Sequence, residues 1–139
     1  MVDMNVKFSG FIRNVVILSI LLFFFSVPHT LEDFATGEPV RAGIPAPVLS
    51  LVVATIFGFQ ALGLYWLGQE KRRGFWVHIV VGLFWPLASG VAQLPTILSG
   101  VPYREGFISV FYVGGIIVVG LLLFLFSINA LRSNKNTQQ

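Results

Sequence analysis

The stretch FISVFYVGGIIVVGLLLFLFSINAL, residues Phe107–Leu131, contains no charged side chain. It exceeds the ~20 apolar residues that an α-helix needs to cross the hydrocarbon core of a bilayer. Lipid offers no hydrogen bonds, so a segment inside it must satisfy its own backbone groups, and a helix does this. The stretch therefore predicts a transmembrane helix.

Three further apolar segments precede this stretch, and together the four predict an all-α, polytopic integral membrane protein. We expect a four-transmembrane-helix bundle with helices at about residues 8–27, 47–67, 75–98 and 107–131, in one domain over 1–132. Residues 133–139 are polar and predict a disordered tail. The chain is 55% hydrophobic and only 11% charged, whereas soluble domains carry roughly 25% charged residues.

Proline and glycine residues predict where the helices end. Pro28 follows the first apolar run, so we expect that helix to end at Val27 and an external loop, with a short helical turn, to follow over His29–Gly43. The turn Gln69–Gly74 is so short that the second and third helices must form an antiparallel hairpin.

The Lys and Arg residues next to the helix ends predict the orientation. With both termini in the cytoplasm, seven basic residues lie inside and only Arg41 and Arg104 lie outside. The inside set is Lys7, Arg13, Lys71, Arg72, Arg73, Arg132 and Lys135. This clustering is typical of topology-setting charge, and we expect the chain to bind no nucleic acid.

The third predicted helix carries a polar stripe. At 100° per residue, His78, Trp85, Ser89 and Gln93 fall on one face together with Gly82, so this face is expected to point into the bundle. One interpretation is a pocket for a small amphipathic ligand, with these four side chains as its lining. The alternative is hydrogen bonding between helices that holds the bundle together.

Small residues predict close helix contacts. Ser50, Ala54, Gly58 and Ala61 share one face of the second predicted helix, which favours packing against a neighbour. Gln60 lies off this face and is expected to bridge to another helix or to a second subunit. Glycines in the fourth helix indicate a further close contact; they are Gly114, Gly115 and Gly120.

The first loop places an imidazole and two carboxylates at i, i+3 and i+4, in His29, Glu32 and Asp33. If this segment is helical, the group could coordinate a metal ion or act as an acid–base pair. The alternative is a solvated turn at the membrane interface, capped by Thr30 or by the acids. The predicted topology puts His29 and His78 near opposite membrane faces, which argues against a haem held between them.

No catalytic motif stands out. The sequence has no phosphate-binding loop, dinucleotide fingerprint, zinc-protease helix or nucleophile elbow, and it contains no cysteine. These features identify no cofactor and favour a non-enzymatic protein. We therefore expect an accessory or structural subunit of a membrane complex, in contact with other membrane subunits or with copies of itself; the alternative is a protein that binds a quinone or a lipid-like molecule.

The run Phe59–Gly68, the basic turn that follows it and Gly74 resemble the junction between the second and third helices of the DoxX-like family. Those proteins are small four-helix membrane proteins with a glycine-rich second helix that ends in a short basic turn. The resemblance covers about thirty residues. It implies a protein of a bacterial or archaeal cytoplasmic membrane, associated with quinone-linked redox chemistry, and it carries over no catalytic residue.

Overall fold

The structure, a computed structural model, describes residues 2–135, with side chains over residues 9–133. This part of the chain is helical apart from short turns and loops. The helices are α1 (Val2–Thr36), α2 (Glu38–Arg41), α3 (Ala46–Gly68), α4 (Arg73–Leu98) and α5 (Phe107–Lys135). Residues 136–139 of the predicted tail lie outside the described residues, and α5 continues through Ser133–Lys135.

Four of these helices are long and apolar enough to cross a bilayer, as the sequence predicts. The candidate spans are Ser9–Thr36, Ala46–Gly68, Arg73–Leu98 and Phe107–Ser133. Large apolar side chains cover much of the outer surface; Val91, Leu98 and Phe107 are each more than three-quarters exposed. A surface of this kind is unfavourable in water and suits surroundings of lipid.

The first helix differs from the prediction, because it does not end at Val27. Pro28 lies inside α1, and the helix continues to Thr36. Proline removes one backbone donor, a loss that helices crossing membranes tolerate, and one turn further on Thr30 donates its hydroxyl to the Ser26 carbonyl oxygen at 2.7 Å. His29, Glu32 and Asp33 therefore lie on the last turns of a long helix rather than in an irregular loop.

Glycines with positive φ shape the connection from α1 to α3. Gly37 adopts a left-handed conformation with φ of +63°, which separates α1 from the single turn of α2. Pro45 and Pro47 then stand at the start of α3, where the first backbone donors have no helical acceptor to lose.

The predicted hairpin of two antiparallel helices is confirmed for α3 and α4. Their backbones approach closely at Gly63 and Gly74: a Cβ atom on Gly74 would lie 2.8 Å from the Gly63 carbonyl oxygen. A Cβ atom on Gly63 would lie 2.6 Å from Cγ1 of Val77. A larger residue would therefore collide with backbone at Gly74 and would displace the Val77 and His78 side chains at Gly63.

Helices α4 and α5 pack equally closely at Gly82 and Gly120. A Cβ atom on Gly82 would lie 2.7 Å from the backbone nitrogen of Phe124 and 2.8 Å from the Gly120 carbonyl oxygen. Gly115 is covered by the Phe25 ring of α1. The expectation of close contacts through α5 glycines is thus confirmed for Gly115 and Gly120, whereas Gly114 is exposed and has open space beside it.

The predicted small-residue face of α3 does not pack inside the bundle. Ser50, Ala54, Gly58 and Ala61 are all exposed, and nothing lies within 4 Å of a Cβ atom added to Gly58. The side of α3 that contacts the neighbouring helices instead contains the buried residues Gln60, Gly63 and Leu67. The close approach of α3 to α4 occurs at Gly63, which lies on a different face from these four residues.

Gly82→Ala tests the contact between α4 and α5. The added methyl group would meet backbone atoms, which cannot rotate away, so we expect a loss of about 1–3 kcal/mol in the free energy of unfolding. Gly58→Ala is the matched control, because it adds the same group to an exposed helical glycine and should leave stability unchanged or slightly raised. Thermal unfolding in detergent, followed by circular dichroism, measures both. Equal midpoints for the two variants would contradict the contact.

Candidate functional site

A cavity of about 380 Å³ lies at the end of the bundle that contains α2 and Arg104. It is bounded by α1, α2, α3, α4 and the Arg104 side chain. Its apolar wall consists of side chains from the start of α3 and the second half of α4; these include Leu49, Val52, Val53, Phe84, Ala88 and Ala92. We call this space the α1–α4 cavity.

The α1–α4 cavity contains three of the four residues predicted to bind a ligand. Trp85, Ser89 and Gln93 stand four residues apart on α4, line the cavity and are at least 94% buried. The expectation that these three side chains share an inward face is confirmed, and their role in binding a ligand stays a prediction. His78 does not join them.

His78 belongs instead to a buried hydrogen-bond network that links α1, α3 and α4. Its Nε2 atom lies 3.0 Å from Oγ of Ser19, and Nδ1 lies 2.7 Å from the Gly74 carbonyl oxygen. A carbonyl oxygen only accepts, so Nδ1 carries the proton and Nε2 accepts from Ser19. Gln60 completes the network by donating from Nε2 to both the hydroxyl and the carbonyl oxygen of Ser19, each at 3.0 Å.

For His78, the network therefore agrees with the second interpretation of the polar stripe, in which polar side chains form hydrogen bonds between helices. All three side chains are fully buried. The prediction that Gln60 bridges to another helix is confirmed, and the partner helix is α1. The polar stripe therefore has two parts: His78 joins helices, and Trp85, Ser89 and Gln93 line the cavity.

Arg104 holds together a cluster of carboxylates beside the cavity. Its Nη2 atom lies 2.6 Å from Oδ1 of Asp33 and also donates to Glu38, while Nη1 lies 3.7 Å from Oε2 of Glu32. The Arg104 side chain is only 7% exposed. The cluster ties the last turns of α1 and the single turn of α2 to the loop between α4 and α5.

Sequence reasoning missed Arg104 and Glu38 as members of the site. Arg104 is 66 residues from Glu38 along the chain, and no local spacing relates the two. The available signal was the presence of an arginine on the same predicted side of the membrane as Glu32, Asp33 and Glu38. Ser109 extends the cluster to α5, since its hydroxyl donates to Oε1 of Glu32.

His29 lies between the two carboxylates but bonds to neither. Its Nε2 atom is 3.7 Å from Asp33, its Nδ1 atom is 4.0 Å from Glu32, and the residue is 3% exposed. Within residues 9–133, no group of three or more His, Asp or Glu side chains is arranged to hold a metal ion. The metal or acid–base site at His29, Glu32 and Asp33 stays a prediction, and the pairing of both carboxylates with Arg104 counts against it.

Tyr103 connects the charged cluster to the cavity. Its hydroxyl donates to Oε1 of Gln93 at 2.7 Å, and the Arg104 guanidinium group lies 5.0 Å from the centre of its ring. Burial raises the pKa of Tyr103 well above its ordinary value, which keeps the phenol protonated as a donor. Burial acts to lower the pKa of Arg104, but the combined effects of Asp33, Tyr103 and Glu38 outweigh it and the net shift is upward, so the guanidinium stays charged.

Two aromatic ring nitrogens at the cavity remain available to a ligand. Nε1 of Trp85 and Nδ1 of His29 are buried and have no hydrogen-bond partner among residues 9–133. An unpartnered buried donor destabilises a protein unless something else satisfies it. Both residues line the cavity, so a ligand with oxygen acceptors could satisfy them.

Comparison with protein-family models, with curated protein sequences and with solved structures finds no match for this chain.

Arg104→Gln tests the role of the charged cluster. The change leaves three carboxylates without their shared cation, and removal of one partner of a buried ion pair typically costs about 3 kcal/mol or more of unfolding free energy. Arg41→Gln is the matched control, because Arg41 is exposed and forms no ion pair within the described side chains. Thermal unfolding should show a much lower midpoint for Arg104→Gln alone. A similar midpoint for both variants would show that the cluster contributes little.

Proposed function

We propose that this chain is an integral membrane protein that binds an amphipathic small molecule, of quinone or lipid-like type, in the α1–α4 cavity. The observation that carries the proposal is the combination of an apolar wall and a polar end within one cavity of about 380 Å³. The proposal concerns binding and assigns no reaction. It corresponds to the alternative function suggested by the sequence, namely binding of a quinone or a lipid-like molecule.

The size and lining of the cavity support a small-molecule ligand. Binding sites for small molecules typically have volumes of about 300–1,000 Å³ and mostly apolar walls with a few polar groups that set orientation. Here the wall is formed by aliphatic side chains of α3 and by Phe84, Ala88 and Ala92 of α4. A ring or an acyl chain would find favourable contacts along this wall.

The aromatic side of the cavity favours a flat ligand. Trp85 forms part of the lining, and its ring lies 5.2 Å from the ring of Phe57, centre to centre. The two rings hold each other in place, and each aromatic pair of this kind stabilises a fold by about 0.5–1.5 kcal/mol. A ligand ring that extends this contact could accept a hydrogen bond from the unpartnered Nε1 of Trp85.

The opposite side of the cavity supplies polar contacts for a ligand head group. Gln93 has its oxygen engaged by Tyr103, which orients the amide nitrogen as a donor, and Ser89 and His29 line the same space. Carbonyl or hydroxyl oxygens of a quinone, or the ester oxygens of a lipid, match these donors. A fully apolar molecule would leave them unsatisfied.

Charge distribution supports the proposed orientation, with both termini in the cytoplasm and the cavity at the opposite membrane face. The turn between α3 and α4 contains Lys71, Arg72 and Arg73, whereas the other end contains Glu32, Asp33 and Glu38. Basic residues are retained on the cytoplasmic side during insertion. The DoxX-like resemblance supports a bacterial or archaeal cytoplasmic membrane as the location.

An accessory role in a membrane complex is the competing function, and the exposed small-residue face of α3 favours it. Ser50, Ala54, Gly58 and Ala61 would let the helix of another subunit, or of a second copy, approach closely. Recovery of a stoichiometric partner after mild detergent extraction, with no ligand bound in the cavity, would favour this role over the proposed one.

Ala88→Phe tests the proposed cavity. In a Trp66→Phe/Trp76→Phe background, Trp85 is the remaining tryptophan. A decyl-substituted benzoquinone that enters the cavity should quench the fluorescence of Trp85, and the quenching should saturate as the quinone concentration rises. Filling the cavity at Ala88 should weaken this binding at least tenfold, or by about 1.4 kcal/mol.

Ala54→Phe is the matched control, since it adds the same ring to an exposed position of α3 away from the cavity. It should retain the affinity of the parent protein. Quenching that never saturates, or that survives Ala88→Phe unchanged, would contradict the proposed site.

Single cysteines test the orientation, because the natural chain has none. Val101→Cys and Gln69→Cys place exposed thiols in the loops at the two ends of the bundle and leave every charge unchanged. A membrane-impermeant maleimide should label Val101→Cys in intact cells and Gln69→Cys only after permeabilisation. The reverse pattern would invert the proposed topology.

A further inference from the structure

We propose a second binding site, for one anionic phospholipid, in a groove between α4 and α5 at the opposite end of the bundle from the α1–α4 cavity. The groove has a volume of about 290 Å³ and is lined by Arg72, Trp76, Ile79, Ile128, Leu131 and Arg132. We call it the two-arginine groove. It shares no residue with the α1–α4 cavity and does not depend on the ligand proposed there.

The two-arginine groove follows from the antiparallel packing of α4 and α5. Arg72 precedes the first residue of α4, and Trp76 and Ile79 follow on the same side at helical spacing. Ile128, Leu131 and Arg132 repeat this spacing near the end of α5. Because α4 begins at the end of the bundle where α5 ends, both arginines line the same end of the groove, and Ile79 and Ile128 lie one to two turns further along their helices.

The charged end of the groove suits a phosphate group. Arg72 and Arg132 are exposed, and neither forms an ion pair with any acidic side chain in the described part of the chain. Lys71 and Arg73 flank Arg72, and Glu70 is the acidic residue of the same turn but does not line the groove. Guanidinium groups bind phosphate oxygens in a fork geometry, so two free arginines can hold one phosphodiester.

The rest of the groove suits an acyl chain. Ile79, Ile128 and Leu131 provide an apolar floor, and Trp76 is 61% exposed beside them. Tryptophan is typical of the region where lipid head groups meet hydrocarbon. A phospholipid would therefore place its head group at the arginines and its chain along α4 and α5.

The charge of the groove favours an anionic over a zwitterionic phospholipid. The ammonium group of a zwitterionic head group, such as the choline of phosphatidylcholine, would lie near Arg72 and Arg132 and be repelled by them, whereas the head group of phosphatidylglycerol carries no cation. Each basic residue near an anionic lipid surface is expected to raise affinity roughly fivefold. Two arginines should therefore give a preference of at least about tenfold for the anionic lipid.

The test uses the full chain with the substitutions Trp66→Phe and Trp85→Phe, which leave Trp76 as the remaining tryptophan. The protein is placed in vesicles of unlabelled phosphatidylcholine that contain small amounts of a lipid with brominated acyl chains, which quench nearby tryptophan. The brominated lipid is phosphatidylglycerol in one series and phosphatidylcholine, with identical chains, in the other. Half-maximal quenching of Trp76 should need a concentration of brominated phosphatidylglycerol at least about tenfold lower than that of brominated phosphatidylcholine.

Arg72→Gln/Arg132→Gln should abolish this preference. Lys71→Gln/Arg73→Gln is the matched control, because it removes the same charge from neighbouring positions that do not line the groove, and it should keep most of the preference. Ile128→Phe is a second variant, which narrows the apolar floor while every charge remains and adds no tryptophan. It should also abolish the preference.

Three outcomes would overturn the inference. The first is equal quenching by the two brominated lipids in the parent protein. The second is an equal loss of preference in the two double variants, which would indicate diffuse surface attraction rather than a site. The third is an unchanged preference in Ile128→Phe. Helical circular dichroism of each variant confirms that it is folded.

Discussion

The hydroxyl group of Ser19 fixes the position of three helices at the centre of the bundle. It donates to His78 on α4 and accepts from Gln60 on α3, while His78 in turn donates to the Gly74 carbonyl oxygen. Inside an apolar bundle, each of these groups would be costly if unpaired, so the three helices must keep the register that pairs them. The α1–α4 cavity depends on this register, because it sets which residues of α1 and α4 face each other beyond the network.

The sequence predicted the helices well because the property that creates them is local. Long apolar runs can meet their backbone hydrogen-bonding requirement only as helices, and the short turn after Gly68 can produce only a hairpin. The end of α1 was less predictable. A proline that follows an apolar run usually marks a boundary, but here the helix continues through Pro28 to Thr36, where Asp33 and Glu32 meet Arg104. That contact joins residues about seventy positions apart, beyond what local spacing can indicate.

The candidate site was predictable in part for the same reason. Trp85, Ser89 and Gln93 lie on one helix, and their spacing alone placed them together. His78 shares the spacing but lies two turns away, at the level of Ser19, where a different neighbour decides its role. His29 and Asp33 line the same cavity because of the way in which α1 packs against α4. The periodicity of a single helix cannot predict how two helices pack. The outward position of Gly58 could not be predicted for the same reason. The contact of Gly63 with α4 determines which side of α3 faces the bundle, and Gly58 lies on another side.

The glycine contacts of α4 have a mechanical consequence. Gly74 meets α3 and Gly82 meets α5, in both cases at a distance where a single added carbon would collide with backbone. Rotation of α4 about its axis, or translation along it, would break both contacts at once. These contacts therefore hold α4 rigidly within the bundle. If the cavity binds the proposed ligand, adjustment to its width would come from the first half of α3, where Leu49, Val52 and Val53 form a wall with no helix packed behind it among the described residues. For the proposed ligand, the rigid wall would set the orientation and the compliant wall would set the permitted size.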